Sequence, residues 1–454
     1  MKPGLSPLAP STPDAPAPAP AGPPPSRATA QGTPGSAPGG SAQGGSAQGG
    51  QDGTRERLID QAHTLLAQGG LKALSVRNLA AAAGLSTSAV PYHLGDKDSL
   101  THTVFGAAME RDREAWRRFR VSLGDEGLPV FALADALVAQ ALALSARQGT
   151  IELVWYELIH QARHTPALRP ILARWYEERR GRHRDLFALA GLPTHVADLM
   201  THYLVGDHST LLVAGGASGF ALSVVENIRH LCDPEDGRAA LWHDRLRRPA
   251  GQDDGLDQAG ETEQRIVAAA VATIIDQGVA AVTHRAVAQR AGVSLSSTTY
   301  YFRSRGDIIR RAFQYIHEEL RREIPAVHHE LPPLALFLRA VADHMLAPVD
   351  GGRIAGRNTT HALGDFALES CRDATLAPLY LTFRQGRGAR IGVALAMVLR
   401  GQAPLSSFQA QIISTWMQGR AQILHALDAP PDVDGYATEM MGLLRYLQPA
   451  IPKG

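Results

Sequence analysis

Hydrophobic side chains recur at helical spacing through most of the chain. The first clear run follows Thr54, and its apolar positions fall at i, i+1, i+4, i+7 and i+8, which is one face of an α-helix. These positions are Leu58, Ile59, Ala62, Leu65 and Leu66. Similar runs with short polar breaks continue along the chain, and no sustained period-two alternation interrupts them. The pattern predicts an all-α protein.

Two segments lack this pattern. Residues 1–52 carry twelve prolines, ten glycines and the repeat GGSAQGGSAQGG, with hardly any large apolar side chain. Such a composition buries too little surface to offset the entropy of ordering, so we expect a disordered arm. The arm is either a spacer or partner-binding tail, or an indifferent extension. Residues 249–260, PAGQDDGLDQAG, have the composition of a linker.

The second half of the chain is a diverged copy of the first. A constant shift of 208 residues aligns the two halves without gaps around their first fifty structured residues, and ten of the 43 positions from Leu58 to Leu100 are then identical. Such a repeat predicts two structurally equivalent units. We expect an arm at 1–52, a first small domain at 53–105 and a larger helical domain at 106–248. After the linker at 249–260, the same pair recurs at 261–315 and 316–454.

Each small domain has the pattern of a helix-turn-helix. Ser75 is placed to cap a second helix running from Val76 to Ala83, Gly84 then supplies a turn, and Ser86 is placed to cap a third helix. Val76, Leu79, Ala80 and Ala83 form the buried face of the second helix. In the second copy, the caps are Thr283 and Ser294, the turn is Gly292, and the face is Val287, Ala288 and Ala291.

The stretches LSVRNLAAAAGLSTSAVPYHLGDKDSL and VTHRAVAQRAGVSLSSTTYYFRSRGDI resemble the DNA-binding domain of the tetracycline-repressor (TetR) family. The family pattern opens the second helix with Thr or Ser and continues with an Ile-Ala-x-x-Ala-Gly-Val-Ser run. A tyrosine-rich recognition helix, a phenylalanine, a Ser-Lys-type turn and an apolar residue follow. The resemblance covers about fifty residues in each copy. It implies that each unit has a three-helix DNA-binding domain followed by a helical effector and dimerisation domain.

The resemblance also implies which residues contact DNA. The recognition helix of a helix-turn-helix enters the major groove while the preceding helix crosses the backbone. Ser75 and Thr283 are then expected to meet phosphates, with Arg77 and Arg285 beside them, and Lys97 and Arg305 match the basic phosphate anchor of the family. The remaining candidates lie on the recognition helices: Thr87, Ser88, Tyr92 and His93 in the first copy, and Leu295, Ser296, Ser297, Tyr300 and Tyr301 in the second.

The two copies differ in charge and in one helix-breaking residue. Residues 53–105 contain five basic and four acidic side chains, whereas residues 261–315 contain seven and four. Phosphate affinity is therefore expected to favour the second copy. Pro91 replaces the tyrosine most usual in the family, and Leu94 replaces the phenylalanine. Because proline removes a backbone donor from a short helix, normal groove reading by the first copy is in doubt.

Family members are homodimers joined by a four-helix bundle, which implies that the two halves of this chain form an intrachain pseudo-dimer. The candidate dimer helices are 194–231 and 406–447. Pairing of two chains to give four heads is the alternative. The apolar positions expected at this interface are Leu199, Leu204, Leu211, Ile412, Trp416, Ile423 and Leu424.

The family resemblance further implies a small-molecule effector, with no cofactor. Candidate ligand contacts are the aromatic-rich cluster of the first copy and related positions of the second, although ordinary core packing explains the same residues. They are Trp155, Tyr156, His160, Trp175, Tyr176, Phe366 and Phe383. His160 and His164 have a spacing that suits a metal on a helix, but no third ligand is evident, so no metal site is expected.

Composition restricts the remaining classes. The formal net charge is +1, so a nucleic-acid site must come from local charge placement. Two distant cysteines exclude a disulfide scaffold and fit a reducing cytoplasm. No apolar run approaches the ~20 residues that span a bilayer. The chain also lacks a phosphate-binding glycine loop, a nucleophile elbow and paired catalytic carboxylates, so we expect no enzyme.

These observations lead to one principal hypothesis and one alternative. The principal hypothesis is a ligand-responsive transcriptional regulator that binds double-stranded DNA as a repressor. The alternative is a small-molecule-binding or interaction protein of the same fold that has lost DNA reading in one or both copies.

Overall fold

The computed structural model of the protein describes residues 45–146, 149–214, 218–235, 260–322, 332–347, 356–400 and 403–451. Within these ranges the regular secondary structure is helical and includes no β-strand, which confirms the all-α prediction. From Gly50 onward the described helices belong to one unit. The predicted linker, apart from Gly260, and residues 1–44 of the predicted arm lie outside the described residues.

The first half contributes nine of the described α-helices. They are α1 (Gly45–Gly69), α2 (Val76–Ala83), α3 (Ala89–Leu94), α4 (Lys97–Leu123), α5 (Val130–Ala146), α6 (Gly149–Ala162), α7 (Arg169–Leu189), α8 (Thr194–Ala214) and α9 (Ser218–Cys232). Helix α1 begins at Gly45, before the boundary of the arm predicted at residue 52, and the domain bounds stay a prediction. Each residue added to an existing helix gains one hydrogen bond, so the amphipathic run that starts at Leu58 can carry the helix toward the N-terminus.

The second half repeats the order. Its described helices are α10 (Glu261–Gln277), α11 (His284–Ala291), α12 (Leu295–Tyr301), α13 (Arg305–Arg322), α14 (Leu334–Leu346), α15 (Gly356–Arg372), α16 (Ala377–Val398), α17 (Ser407–Ala426) and α18 (Val433–Leu447). Below, α1–α3 with the start of α4 are called the first head, and α10–α12 with the start of α13 the second head.

Equivalent apolar residues fill the cores of the two heads. Four pairs related by the internal repeat are all buried: Leu58 and Ile266, Leu66 and Ile274, Leu79 and Val287, and Leu94 and Phe302. The first core continues into α4, α6 and α7, and the second into α13, α15 and α16. The two heads therefore share one packing scheme, and each is joined to the helical domain of its own half by continuous apolar contact.

The two halves meet most closely where α8 packs against α17. Gly206 of α8 lies against the backbone of Thr415, and Gly419 of α17 lies against the backbone of His202, so a Cβ on either glycine would clash with a carbonyl oxygen of the other helix. The contact is reciprocal, as at a two-fold axis. Small residues at such a crossing allow the two helix backbones to approach.

The predicted dimer helices agree closely with the helices of this region. Residues 194–231 correspond to α8 and α9, and residues 406–447 correspond to α17 and α18. Six of the seven apolar positions expected there are buried, and Leu424 is half-buried. The buried six are Leu199, Leu204, Leu211, Ile412, Trp416 and Ile423.

One ion pair between the halves is fully enclosed. The Arg384 Nε of α16 donates to the Asp207 Oδ1 of α8 at 2.8 Å, and both side chains are almost completely buried. Tyr203 donates its hydroxyl to the other carboxylate oxygen of Asp207, and Asn227 donates to that hydroxyl at 2.8 Å. Burial by itself would lower the pKa of Arg384, but the Asp207 carboxylate outweighs it and raises that pKa. The pair gives the contact between the halves a polar centre.

None of the described helices is long and apolar enough to cross a lipid bilayer.

Candidate nucleic-acid interface

The first head forms a helix-turn-helix at the predicted residues. The Ser75 side chain accepts a hydrogen bond from the Asn78 N–H at 3.1 Å and caps α2. Gly84 ends that helix with φ of 66°, a left-handed conformation that glycine adopts without steric cost. Leu79 and Ala80 are buried on the inner face of α2, while Val76 and Ala83 are half-buried. The turn and the crossing of the two helices are therefore as predicted.

The predicted cap of the third helix at Ser86 is wrong. Helix α3 begins only at Ala89, its N-cap residue Ser88 makes no capping bond, and the Ser86 hydroxyl instead lies 2.9 Å from the Ser88 hydroxyl. Pro91 explains the late start, because it has no N–H to donate to the Thr87 carbonyl. The proline therefore lies in the first turn of α3, where no intrahelical donor is needed, and the helix tolerates it.

The second head has the longer recognition helix. Thr283 accepts a hydrogen bond from the Ala286 N–H at 3.1 Å and caps α11, and Gly292 ends it with φ of 65°. Ser294 then caps α12 by accepting from the Ser297 N–H at 3.0 Å, as predicted. Arg265 of α10 donates to the Ala291 carbonyl at 2.7 Å, which satisfies an end of α11 that would otherwise lack a partner. Helix α12 begins at Leu295, which the repeat pairs with Thr87, whereas α3 begins two residues later at Ala89.

Both recognition helices expose large side chains at related positions. Tyr92 is 71% exposed and Tyr300 is 82% exposed, while Leu295 and Tyr301 are 52% and 38% exposed. Each exposed tyrosine meets its neighbour edge to face, Tyr92 with His93 and Tyr300 with Tyr301. On the inner side, Val90 and Leu94 of α3 are buried, as are Thr298 of α12 and Phe302 at its end. The outer faces therefore present aromatic rings and hydroxyls to solvent, a combination suited to phosphates, sugars and base edges.

The remaining candidates surround these faces unevenly. Arg77 and Arg285 are exposed in the first turns of α2 and α11, and Lys97 is exposed at the start of α4. Thr87, Ser88, Thr283 and Ser296 are also exposed, whereas Ser75, His93 and Ser297 are half-buried. Most of the predicted contacts are therefore exposed or half-buried, and their contact with DNA stays a prediction.

Arg305 is placed differently from the other predicted contacts. Its guanidinium donates to the Val279 and Val282 carbonyls, each at 3.0 Å, and forms an ion pair with Glu369 of α15. These partners lie within the second half, so the donors of Arg305 point into the protein. Lys97, its counterpart, makes no such contact among the described residues. Sequence similarity to a phosphate anchor did not reveal this difference, because Glu369 lies far from Arg305 along the chain.

The predicted ligand contacts pack as buried side chains. The rings of Trp155 and Trp175 lie 5.1 Å apart, and Phe366 stacks on Phe313 at 3.8 Å, with Phe383 edge to face at 5.7 Å from Phe366. The Tyr156 hydroxyl accepts from the Ser209 N–H, and the Tyr176 hydroxyl lies 2.7 Å from His202 Nε2. His160 is buried beside Asp365, at 3.0 Å. Contact with a ligand stays a prediction for these residues.

A polar cavity in the first half escaped the sequence analysis. Asp112, Arg179 and Arg182 line it together with Leu137, Gln140, Ala141, His183 and Leu204. One oxygen of Asp112 accepts hydrogen bonds from Trp175 at 2.7 Å, Arg179 at 3.1 Å and Arg182 at 2.7 Å. Burial would raise the pKa of Asp112, but the two guanidiniums outweigh it and lower that pKa. No local motif signals the site, because Asp112 lies on α4 whereas Arg179 and Arg182 lie on α7.

A second carboxylate, that of Glu152, pairs with the buried Arg179 of this cavity. Arg179 donates to both oxygens of Glu152, at 3.1 and 2.6 Å, and lies over the ring of Trp155 at 4.6 Å. Arg182 has one terminal nitrogen, Nη2, without a hydrogen bond, and the nearest carboxylate oxygen, of Glu178, is 4.0 Å away. The cavity therefore combines apolar side chains, paired charges and one guanidinium nitrogen that has no hydrogen bond.

Comparison with known proteins agrees with this geometry. A family model described as bacterial regulatory proteins of the tetR family matches twice, at residues 58–104 and 266–312. The displacement between the two matches equals the shift found within the chain itself. A second model, for a tetracyclin repressor-like C-terminal domain, matches residues 128–207.

Individual relatives are more distant. The HTH-type transcriptional regulator BetI of Stenotrophomonas maltophilia (strain R551-3) is 30% identical over 114 residues, which are 25% of this chain and 57% of that regulator. The HTH-type transcriptional repressor KstR2 of Rhodococcus jostii (strain RHA1) is 29% identical over 111 residues, which are 24% of this chain and 52% of that repressor. The chain thus spans little more than half the length of the curated relatives that it matches.

Solved structures that are similar include a transcriptional regulator from Rhodococcus sp. Rha1, with 20% identity and a TM-score of 0.35 over 42% of this chain and all of the other. The multidrug binding protein EbrR complexed with ethidium has 24% identity and a TM-score of 0.33 over 40% of this chain and 98% of its own.

The assignment of the chain to a family rests on the family matches and the curated relatives. The chain contains the helix-turn-helix domain of the tetR family of bacterial regulatory proteins twice and a tetracyclin repressor-like C-terminal domain once, which supports a tandem duplication of a TetR-type regulator.

Proposed function

We propose that the protein is a transcriptional repressor that binds double-stranded DNA through both heads of one chain and is released by a small molecule. The observation that carries this proposal is the pair of exposed recognition faces, on which Tyr92 and Tyr300 are largely exposed at related positions. Aromatic rings with hydroxyl groups, exposed at the same position of both recognition helices, suit contacts with phosphates, sugars and base edges. The curated relative KstR2, which is described as a repressor, supports the direction of regulation.

The reciprocal crossing of α8 and α17 supports a role for the two halves as the two subunits of a pseudo-dimer. A crossing in which Gly206 and Gly419 each approach the other helix resembles the self-complementary contact of a two-fold dimer. Two heads related in this way read two half-sites about one helical turn or more apart. Because the recognition helices differ in sequence, the two half-sites need not be identical.

The polar cavity of the first half supports a site for the small molecule. Effector sites combine mostly apolar walls with a few polar groups that fix the orientation of the ligand. Leu137, Ala141 and Leu204 supply apolar lining here, and the Nη2 of Arg182 has no hydrogen bond. The related positions of Asp112 and Glu152 in the second half are Leu320 and Thr360, so we expect the effector to bind the first half.

Footprinting on the DNA that flanks the gene tests the proposal. The expected result is a protected stretch with two half-sites, which disappears as salt rises because phosphate contacts release counterions. Protection of one short half-site would restrict DNA reading to the second head, which has the larger positive charge. No protection on any flanking fragment at low salt contradicts the proposal and favours a binding protein of the same fold that does not read DNA.

A further inference from the structure

The turn after the first helix of each head lies against a buried carboxylate of its own half. Gly70 has φ of 68°, and a Cβ on it would lie 2.9 Å from Glu157 Oε1. Gly278 has φ of 79°, and a Cβ on it would lie 3.0 Å from Asp365 Oδ2. In the first head the Leu71 N–H also donates to Glu157 at 2.9 Å. The two acids occupy equivalent positions of the internal repeat, so this contact is a repeated feature.

In each case the opposite half supplies the cation that neutralises the acid. Arg372, at the end of α15, donates to Glu157 Oε2 at 2.6 Å, and Arg163, just after α6, donates to Asp365 Oδ1 at 2.8 Å. Glu157 is almost completely buried and Asp365 is largely buried. A buried carboxylate is costly without a paired cation. The support beneath each head therefore depends on a residue from the other half of the chain.

Arg372 also reaches the first head directly. Its Nε donates to the Ala67 carbonyl at 3.1 Å and its Nη2 to the Leu66 carbonyl at 3.0 Å, in the last turn of α1. Carbonyls at a helix end lack intrahelical donors, and a cation there is favoured by the helix dipole. The related residue of the first half is His164, whose ring makes no hydrogen bond to the second head among the described residues. The direct link is therefore present at the first head alone.

The second head is tied to α15 in another way. Arg305 pairs with Glu369, one turn before Arg372, and donates to the Val279 and Val282 carbonyls. The related residues of the first half are Lys97 and Gln161. The C-terminal turns of α15 therefore contact both heads, through Arg372 on one side and through Asp365 and Glu369 on the other.

We infer that each head is positioned by the opposite half of the chain, the first by Arg372 and the second by Arg163. Both are positioning residues, because they act on the heads through Glu157, Asp365 and the end of α1. The inference rests on the proposed function only in its consequence for DNA, namely that the two heads are held at a fixed spacing. A change in one half then alters how the other half's head meets its half-site.

Hydrogen–deuterium exchange on the full chain tests the inference without DNA. The variants are R372K and R163K, which keep the charge but replace a forked donor with a single ammonium. The matched control is R118K, since Arg118 is exposed on α4 and, within the described part of the chain, forms an ion pair with Glu114 alone. Exchange is followed in peptides that cover residues 66–75 of the first head and residues 274–283 of the second.

A crossed pattern is the expected result. R372K, a change in the second half, accelerates exchange at residues 66–75 at least tenfold and leaves residues 274–283 unchanged. R163K, a change in the first half, accelerates exchange at residues 274–283 and leaves residues 66–75 unchanged. Any of three results overturns the inference. They are equal acceleration of exchange in both heads, acceleration only in the head of the mutated half, and no change in either variant.

A second measurement separates positioning from simple stability. On a duplex with both half-sites, R372K lowers affinity at least threefold, while on a duplex with only the second head's half-site its affinity equals that of the natural chain. Equal loss on both duplexes contradicts a positioning role. If the natural chain binds neither duplex, the proposed function fails while the exchange experiment still decides the inference.

Discussion

Ser86 and Ser294 occupy related positions in the two heads, yet only Ser294 caps a helix. Three of the four predicted caps are confirmed, at Ser75, Thr283 and Ser294, and the cap at Ser86 is wrong. What differs is Pro91, soon after Ser86, whose missing N–H moves the start of α3. Local sequence therefore predicts a cap well where the following residues can all donate, and less well where one cannot.

Arg285 provides a residue-level test of the DNA interface. Replacing it with alanine removes an exposed charge from the first turn of α11, where a phosphate is expected. We expect R285A to weaken binding to all duplex sequences alike and to reduce the slope of log affinity against log salt by about 0.9, the contribution of one phosphate contact. Fluorescence anisotropy across a salt series measures both quantities. An unchanged slope, equal to that of R118A on α4, would place Arg285 outside the interface.

The enclosed pair of Asp207 and Arg384 provides a residue-level test of stability. D207N leaves the guanidinium buried without its carboxylate, and losing one partner of such a pair costs about 3–5 kcal/mol. The matched control is D135N, because Asp135 and Arg229 form a pair in which both side chains are more than half exposed, and such pairs contribute about 1 kcal/mol or less. Denaturant unfolding of the two variants compares these costs. Equal losses would show that the enclosed pair contributes no more than a surface pair.

At the scale of elements, the sequence predicted the helices better than the contacts between them. The resemblance to the TetR family, together with the helical pattern, located α8 and α17, and the seven apolar positions expected there are buried or half-buried. The crossing point at Gly206 and Gly419 was not predicted, because a glycine within a helix has the same local signal whether or not another backbone approaches it. The distinction depends on a contact between two residues that lie in opposite halves of the chain.

The crossing predicts opposite effects for similar substitutions. G419A places a methyl group against the His202 carbonyl, and forcing two helix backbones apart costs about 1–3 kcal/mol or more. G442A in α18 meets open space, and alanine is favoured over glycine in a helix by about 1 kcal/mol. Thermal unfolding should therefore give a lower Tm for G419A and an equal or higher Tm for G442A. A Tm for G419A that matches G442A would mean that the helices do not cross here.

At the scale of the whole molecule, the repeat itself was the strongest sequence signal. Its constant offset predicted two heads, and the two family matches are displaced by the same amount. The sequence did not predict the hydrogen bonds that hold the heads. Arg372 and Leu66, for example, lie in opposite halves of the chain and belong to no common motif. The predicted ligand residues illustrate the same limit, because aromatic spacing alone does not separate a core from a cavity.

Buried histidines between the halves predict how stability changes with pH. Burial lowers the pKa of His425 to about 3, with Arg357 and Arg163 adding to the effect, and burial also lowers the pKa of His202 and His361. In the unfolded chain these groups titrate near pH 6.5. Between about pH 3 and 6.5 the unfolded chain therefore binds more protons, so the free energy of unfolding falls as the pH falls.

The expected slope is up to about 1.4 kcal/mol per pH unit for each such histidine. Denaturant unfolding at pH 7, 6 and 5 should show a flatter dependence for H425N than for the natural chain. His102, which is exposed on α4, provides the control variant H102N. If H425N and H102N show the same slope, the protonation of His425 does not contribute to acid destabilisation.

The ion pair of Asp207 and Arg384 has a further consequence for partner choice. Its two residues have no like counterparts: the repeat shift pairs Arg384 with Tyr176, and at the helix crossing Arg420 follows Gly419 as Asp207 follows Gly206. Two first halves brought together would lack the pair, and two second halves would bring the buried Arg384 toward Arg420. Unlike halves are therefore preferred to like ones. Separately produced halves, mixed at equal concentration, should form mixed pairs in native mass spectrometry, and the second half alone should stay unpaired.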